Sequence, residues 1–425
     1  MRTPPTVRIL MLTNSYPTRH SPSGAAYITS RIDAFASLGD SGAPVDLTAL
    51  ALRPVQPWWL DVVRRVVRAT PGAGLALADE ERYGEVRVSW GVADVVRGRR
   101  GRRPEGAVRS AVQGVLAHPA VARARSGEEQ PFDVVHAHGM YTMPAGEVAR
   151  RVAAELGVPF VVSLHGSDVE VAARADPEAA AATLRQAAAT TYVSDALRRT
   201  ATGLGLPTAT ATVISNGVDL ARFRPPADDS CVDPGRRPGT AGSPVRILFA
   251  GNLLPVKGAD RLPALVGAIE SLGGEADLTV AGDGPLRTSL TSRLPRARFT
   301  GRVPQDELAR LMRSADVLVA PSRSEGWGCV VTEAYASGTP AVAFGVGGLP
   351  EALLGSDGLV PPPGSQESDD PDAEAAAIVR FARAVLDVAA APPTADAMAA
   401  HVRPHGWADV ARAELDVLRA AVGPA

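Results

Sequence analysis

Short apolar runs rich in Val, Ile and Leu alternate along most of the chain with Ala- and Leu-rich stretches of helical spacing. Strands buried on both faces read as continuous apolar runs, so this pattern is that of a parallel sheet wrapped by helices. It predicts strands at Val7 to Thr13, Val45 to Leu52, Val86 to Trp90, Phe132 to His136, Phe160 to Leu164, Thr191 to Ser194 and Thr212 to Ser215 in the first half. In the second half it predicts them at Val245 to Ala250, Asp277 to Ala281, Arg298 to Thr300, Val317 to Ala320 and Pro340 to Phe344. Each half has enough strands for a doubly wound sheet of its own.

Between the halves, Arg224 to Pro244 is dense in Pro, Gly, Asp and Ser and shows no apolar period, as an interdomain linker would. We therefore expect a first α/β domain over 1–223, a linker over 224–244 and a second α/β domain over 245–400. A polar stretch, Pro361 to Asp372, precedes the final helices, the last of which carries Trp407 and Leu418. Its own pattern suits either domain; the expectation for 401–425 is a helix that crosses back to the first. A chain of 425 residues is too long for one core of the usual size. The apolar run Ile9 to Leu12 is too short for a secretory leader, and nowhere do about 18 apolar residues run without a charge, so no spanning helix is expected.

Composition changes the picture in three respects. A net charge of −2 with 21% charged residues implies no general affinity for polyanions, which sets nucleic acid aside as a partner. The two cysteines, Cys231 and Cys329, have no paired spacing, so neither a disulfide framework nor a structural zinc site is indicated, and a reducing cytoplasm fits best. The 44 basic residues include a single lysine, Lys257, in a chain whose Ala, Gly, Pro and Arg content points to a GC-rich gene. Such a lysine either survives by chance or is needed as an ammonium.

A basic, aromatic-edged segment within Pro57 to Arg125 holds Trp58, Trp59, Arg64, Arg65 and Arg68, then Arg97, Arg99, Arg100, Arg102 and Arg103. Such a segment could lie on an anionic membrane surface, giving peripheral contact at the inner face. The preferred reading is an ordinary helix with a solvated arginine face.

The most specific chemistry lies in Pro321-Ser322-Arg323-Ser324-Glu325-Gly326-Trp327-Gly328-Cys329-Val330-Val331-Thr332-Glu333-Ala334. It follows a buried strand, so it lies where open α/β sheets bind ligands. Seven residues separate Glu325 from Glu333, which puts one carboxylate in a loop and the other a turn or two into the next helix. Gly326 and Gly328 allow close backbone approach, and the helix start offers unpaired N–H groups to phosphate.

This segment, followed by Ser337-Gly338-Thr339-Pro340 and Gly347-Gly348-Leu349-Pro350-Glu351, resembles the two-glutamate motif of the family 4 retaining glycosyltransferases, which have the GT-B architecture. Val245 to Gly251 with Lys257-Gly258, Gly282-Asp283-Gly284-Pro285, and Ser215-Asn216-Gly217-Val218-Asp219 resemble further parts of the same family in the same order. So do Phe132 to His138, Leu164-His165-Gly166-Ser167-Asp168, and Tyr16-Pro17 with Ser23-Gly24. The resemblance covers about residues 8–360 and implies two Rossmann-like doubly wound domains facing across a cleft, with a nucleoside-diphosphate sugar held by the second and a hydroxyl acceptor by the first.

The roles it implies follow the charges of the reaction. Lys257 takes the phosphates, Glu333 the ribose hydroxyls, and Glu325 with the backbone of Gly326 to Gly328 the sugar. Gly24, Gly251, Asn252, Gly282, Arg323, Trp327, Cys329 and Val330 complete the donor site, with His165 reaching the sugar from the first domain. His138 and Asp168 fall on the acceptor side, Asp168 either orienting His165 or capping a helix. The acceptor is a glycan, a lipid-linked glycan or a small molecule, and the activity is a hexosyltransferase-type retaining transfer in carbohydrate biosynthesis. In the favoured mechanism the acceptor attacks on the face the phosphate leaves; a covalent route through Glu325 is the chemical alternative. The chain departs from the family pattern at Asn252, where most members carry an arginine, so Lys257 or another arginine must supply that charge. It departs again at Ala25, which follows Gly24 where a second glycine is usual.

Other features are set aside. His136 and His138 alternate at a strand end and are expected to point to opposite faces, so that at most one serves the site. Asp370 and Asp372 spell an Asp-x-Asp pattern but sit in a polar loop, so no metal is expected, and no cofactor beyond the sugar donor as co-substrate. Gly72-Ala73-Gly74 lacks the rest of a dinucleotide fingerprint. Another GT-B enzyme, such as a nucleotide-sugar epimerase or a phosphorylase, and a non-catalytic sugar-nucleotide sensor are the competing readings.

Overall fold

The computed structural model describes residues 6–15, 26–40, 45–55, 84–99, 102–141, 143–225, 243–356, 358–364 and 371–423. The chain divides into two compact units, Met1–Ser215 with Trp407–Ala425, and Asn216–Gly406.

In the first unit β1 (Val7–Thr13), β2 (Val45–Val55), β3 (Gly84–Ser89), β4 (Val134–His138), β5 (Phe160–Leu164), β6 (Ala189–Tyr192) and β7 (Thr212–Val213) form a seven-stranded sheet in the order β3-β2-β1-β4-β5-β6-β7. In the second, β8 (Val245–Ala250), β9 (Ala276–Ala281), β10 (Arg298–Gly301), β11 (Val317–Ala320), β12 (Ala341–Phe344) and β13 (Leu359–Val360) form a six-stranded sheet in the order β10-β9-β8-β11-β12-β13. Every pairing in both sheets is parallel. The strand order therefore reverses between β1 and β4 and again between β8 and β11, and ligands of doubly wound folds bind outside the carboxyl ends of the strands at such a reversal.

The apolar runs behave as buried parallel strands must. β4, β5, β11 and β12 are buried at every position, and β1, β5, β8 and β11 keep the bounds their sequence predicts. Elsewhere side chains move the ends. Asp133 accepts the Arg8 N–H on its carboxylate at 2.7 Å, so β4 begins only at Val134 and runs on to His138. Ser194, predicted to end a strand, instead caps the helix Asp195–Gly203, its Oγ accepting from Leu197 N at 3.1 Å. The pattern misses β13, since two residues carry no readable period.

The helix Trp407–Val422 belongs to the first unit. Its Ala411, Leu415 and Leu418 join Ile9, Met11, Ile28 and Phe35 in one buried cluster. Burial of each leucine contributes roughly 1.5–3 kcal/mol.

Of the basic segment, residues 58–68 and Arg100 lie outside the described residues, and Arg103 corrects the expectation of a solvated face. Its guanidinium turns inward, 3.2 Å from Glu147 Oε1 and donating to the Ala179 carbonyl at 2.7 Å. Glu147 is fully buried and also accepts from Arg150, Arg151 and Thr183. Burial alone would raise its carboxyl, but these bonds and the Arg103 charge hold it at about 2. Among the described residues no helix is long and apolar enough to cross a membrane.

Candidate functional site

In the second unit, candidate site residues gather after β8 and β11, the two strands flanking the reversal. Gly251 follows β8, its N–H bonded to Ala281 O at 2.9 Å, and Gly282 follows the neighbouring β9. The chain then makes the short turn Pro255–Lys257 and continues through Gly258. Gly258 has φ 68°, and a Cβ there would stand 1.8 Å from Pro321 O. Only glycine lets the Lys257 turn press on the loop after β11 in this way. On the other side of that loop Gly347, with φ 53°, would place a Cβ 1.9 Å from Glu325 O. The loop 321–328 is thus clamped between two backbone segments that tolerate no side chain.

Two arginines tie the clamp together. Arg323 donates to both carboxylate oxygens of Asp260, at 2.8 and 2.9 Å, and to Pro255 O at 2.6 Å. Arg261, buried, spans Glu374 at 2.6 and 2.8 Å and Pro321 O at 2.7 Å. Both are held by carboxylates, so neither stands open in place of the arginine that Asn252 lacks; Asn252 itself is exposed at the end of β8.

Held in this frame, Lys257 Nζ donates to Glu325 Oε2 in an ion pair whose side chains are 31% and 15% exposed. Beyond Glu325 and Gly326, Trp327 is 5% exposed and packs against the His405 ring, with 5.0 Å between centroids. It anchors the loop. Gly328 precedes the helix Cys329–Ala336, whose opening residues Cys329 and Val330 present N–H groups with no partner inside the helix. Glu333 lies one turn further along, and burial pushes its carboxyl up to about 8, although Arg222 pulls the other way. The Cys329 thiol is pushed up to about 12 by burial and by the Glu333 and Glu325 charges, which removes it as a nucleophile.

In the first unit the corresponding loops follow β4 and β5. His138 Nδ1 and His165 Nε2 lie 3.1 Å apart, their rings stacked at 24° with 5.3 Å between centroids. Burial, reinforced by the His136, Arg31 and His165 charges, holds His138 well below the usual histidine range, so it is a neutral imidazole. His136 and His138 do not point to opposite faces. Their ring centroids are 4.3 Å apart, because residues two apart on a strand project to the same side. His136 turns to Ser163 Oγ at 2.8 Å and, chiefly through burial, is lowered to about 3.

Asp168 is not the cap of a helix: it is the first residue of the helical turn Asp168–Ala173, whose N-cap is Ser167. The Asp168 carboxylate accepts the N–H groups of His165 at 2.9 Å, Gly166 at 2.7 Å and Val169 at 3.0 Å. It fixes the backbone of the loop that carries His165. Burial raises the Asp168 carboxyl and these backbone bonds pull it back part of the way.

The structure therefore brings Gly251, Lys257, Gly282, Glu325 and Glu333 to one edge of the second sheet and His138, His165 and Asp168 to one edge of the first. Gly24 and Asp370 lie outside the described residues. Sequence reasoning missed Tyr27 and Tyr141, whose hydroxyls are 3.5 Å apart, with the Tyr27 ring 5.0 Å from that of His165. It also missed His405 behind Trp327 and Asp260 behind Arg323. None sits in a motif; each is found only through its contacts.

The family model described as glycosyl transferases group 1 matches residues 244–384, and that described as Glycosyltransferase Family 4 matches residues 61–222. The D-inositol 3-phosphate glycosyltransferase of Streptomyces griseus subsp. griseus is 35% identical over 334 residues, covering 68% of this chain and 67% of that protein. The 2-deoxystreptamine glucosyltransferase of Streptomyces kanamyceticus is 30% identical over 243 residues, covering 52% of this chain and 61% of that one. Among solved structures, HepE of Anabaena in complex with UDP superimposes with a TM-score of 0.58 at 17% identity, over 97% of this chain and 99% of that one. Sucrose-phosphate synthase of Thermosynechococcus elongatus gives 0.62 at 18% identity, over 97% and 98%. Both likenesses show the fold, two parallel-sheet α/β domains of GT-B type. The chain belongs to family 4 of the glycosyltransferases.

Proposed function

We propose that this glycosyltransferase moves a sugar from a nucleoside diphosphate to an acceptor hydroxyl with retention of configuration, the donor held by the second unit and the acceptor by the first. The observation that carries this reading is the Lys257–Glu325 pair beside the β8–β11 reversal. A cation for phosphate and an anion for sugar hydroxyls stand side by side, as the junction between phosphate and sugar requires. HepE, whose fold the chain shares, is seen with UDP and with UDP-glucose, which supports the donor class.

Breaking the bond to the anomeric carbon leaves negative charge on the departing phosphate and positive character on the sugar. Lys257 and the N–H groups at the start of the helix Cys329–Ala336 stabilise the first. Glu325 accepts from sugar hydroxyls, and Glu333 from the ribose. The acceptor attacks on the face the phosphate leaves, and that phosphate takes the acceptor's proton, so the step uses no protein nucleophile. Neither metal nor cofactor enters it.

Thermal shift with UDP, GDP, ADP and TDP identifies the base, and labelled donor sugar with product stereochemistry then tests the reaction. Loss of nucleotide binding in Lys257→Ala and Glu333→Ala is expected. Normal binding in both variants, or an inverted product, would overturn the assignment.

A further inference from the structure

Beside the His165 loop the first unit holds a cavity of about 420 Å³ lined by Met140, Tyr141, Pro144, Ser167, Val171 and Ala175, among others. The volume is that of a small-molecule site. Its walls are mostly apolar. Ala172, Ala173, Ala179 and Ala180 add to them, and Val171, 66% exposed, presents a β-branched side chain to the opening.

The polar groups of the lining are few and partly committed. Arg103 is taken by Glu147 and the Ala179 carbonyl, and Asp176 accepts the Ala179 N–H at 3.1 Å. That leaves two hydroxyls, the second carboxylate oxygen of Asp176 and one cation. Tyr141 turns its hydroxyl toward Tyr27 and hence toward His165, and Ser167 lies in the loop between His165 and Asp168. Arg102 is exposed at the lining and makes no ion pair among the described residues.

From this lining we infer the class of acceptor: a compact molecule with an apolar ring body, one reacting hydroxyl and a single acidic group met by Arg102. The inference rests on the reading that the first unit holds the acceptor. A phosphorylated polyol is a poor match, because Tyr141, Ser167 and Asp176 can meet only a few of its hydroxyls and the others would lose water against alanine, valine or methionine and gain no partner. An apolar ring loses nothing there, and one carboxylate finds one guanidinium.

Equilibrium binding to the full chain tests it with 6-hydroxy-2-naphthoate, uncharged 2-naphthol and myo-inositol 3-phosphate. The naphthoate is expected to bind saturably, and at least about tenfold tighter than the inositol phosphate. Ala175→Trp, which fills the cavity from an exposed position, should weaken it about tenfold. Arg102→Gln should weaken the naphthoate by about as much while leaving 2-naphthol within about twofold. No saturable naphthoate binding, tighter binding of the inositol phosphate, or an Ala175→Trp variant with unaltered naphthoate affinity would overturn the inference. A missing nucleotide-induced melting shift in the wild-type protein would instead strike at the donor reading, and the naphthoate series would still decide this one.

Discussion

Arg31 and Glu414, 383 residues apart in sequence, form an ion pair withdrawn from solvent: their side chains are 1% and 2% exposed, and Arg31 Nε donates to both carboxylate oxygens at 2.9 and 3.0 Å. Arg31 also donates to Tyr27 O at 3.2 Å and lies over the Trp407 ring at 5.1 Å. The pair ties the last helix of the chain to the helix Ala26–Asp40 inside the first unit.

Removing one partner strands the other charge. Glu414→Ala is expected to destabilise the first unit by about 3–5 kcal/mol, whereas Arg31→Met combined with Glu414→Leu should recover most of that loss. Urea unfolding of the three proteins decides, and a loss below about 1 kcal/mol in the single variant would show that the pair behaves like a surface one.

The contact between Lys257 and Glu325 allows binding to be separated from chemistry. Lys257→Ala should lower the transfer rate by roughly a hundred- to a thousandfold. Lys257→Arg should restore only part of it, since a planar guanidinium does not replace a compact ammonium. Glu325→Ala frees the lysine, so the nucleoside diphosphate should bind severalfold tighter while transfer falls. Calorimetry and steady-state rates on the same samples check both, and weaker nucleotide binding in Glu325→Ala would contradict this account.

The proposed contact of Glu333 with the ribose predicts a pH dependence of donor binding. Burial pushes the Glu333 carboxyl up to about 8, and in the proposed complex ribose hydroxyls would donate to the ionised form, so the bound state would hold the proton less tightly. Affinity should therefore rise with pH up to about 8 and level off above it, by about tenfold between pH 7 and pH 9. Near pH 7 binding should release close to one proton, measurable by calorimetry in buffers of different ionisation enthalpy. Glu333→Gln should flatten the profile; a profile as steep in that variant as in the wild type would assign the titration elsewhere.

Gly258 tests the clamp around the loop 321–328. Gly258→Ala meets both a left-handed backbone and the Pro321 carbonyl, and is expected to cost more than about 1 kcal/mol of stability. It should also reduce the melting shift induced by nucleotide, because Lys257 moves with the turn. A variant with unchanged melting temperature and unchanged nucleotide shift would show that the clamp is not needed.

What the sequence determined by itself is what local order carries. Apolar runs located β1, β5, β8 and β11 with their bounds, even where Arg8 and Arg246 interrupt β1 and β8. The lone lysine before Gly258, and Glu325 and Glu333 around a helix start, were legible because glycine turns and helix starts have local signatures. Tertiary structure decided which groups meet: Lys257 with Glu325, Arg323 with Asp260, Arg103 with Glu147, and Arg31 with Glu414. It also turned Asp168 onto backbone N–H groups and left Arg102, at the lining of an apolar cavity, without an ion pair among the described residues. These pairings join segments remote in the chain, and they are settled by desolvation and packing in three dimensions, to which no period along the sequence responds.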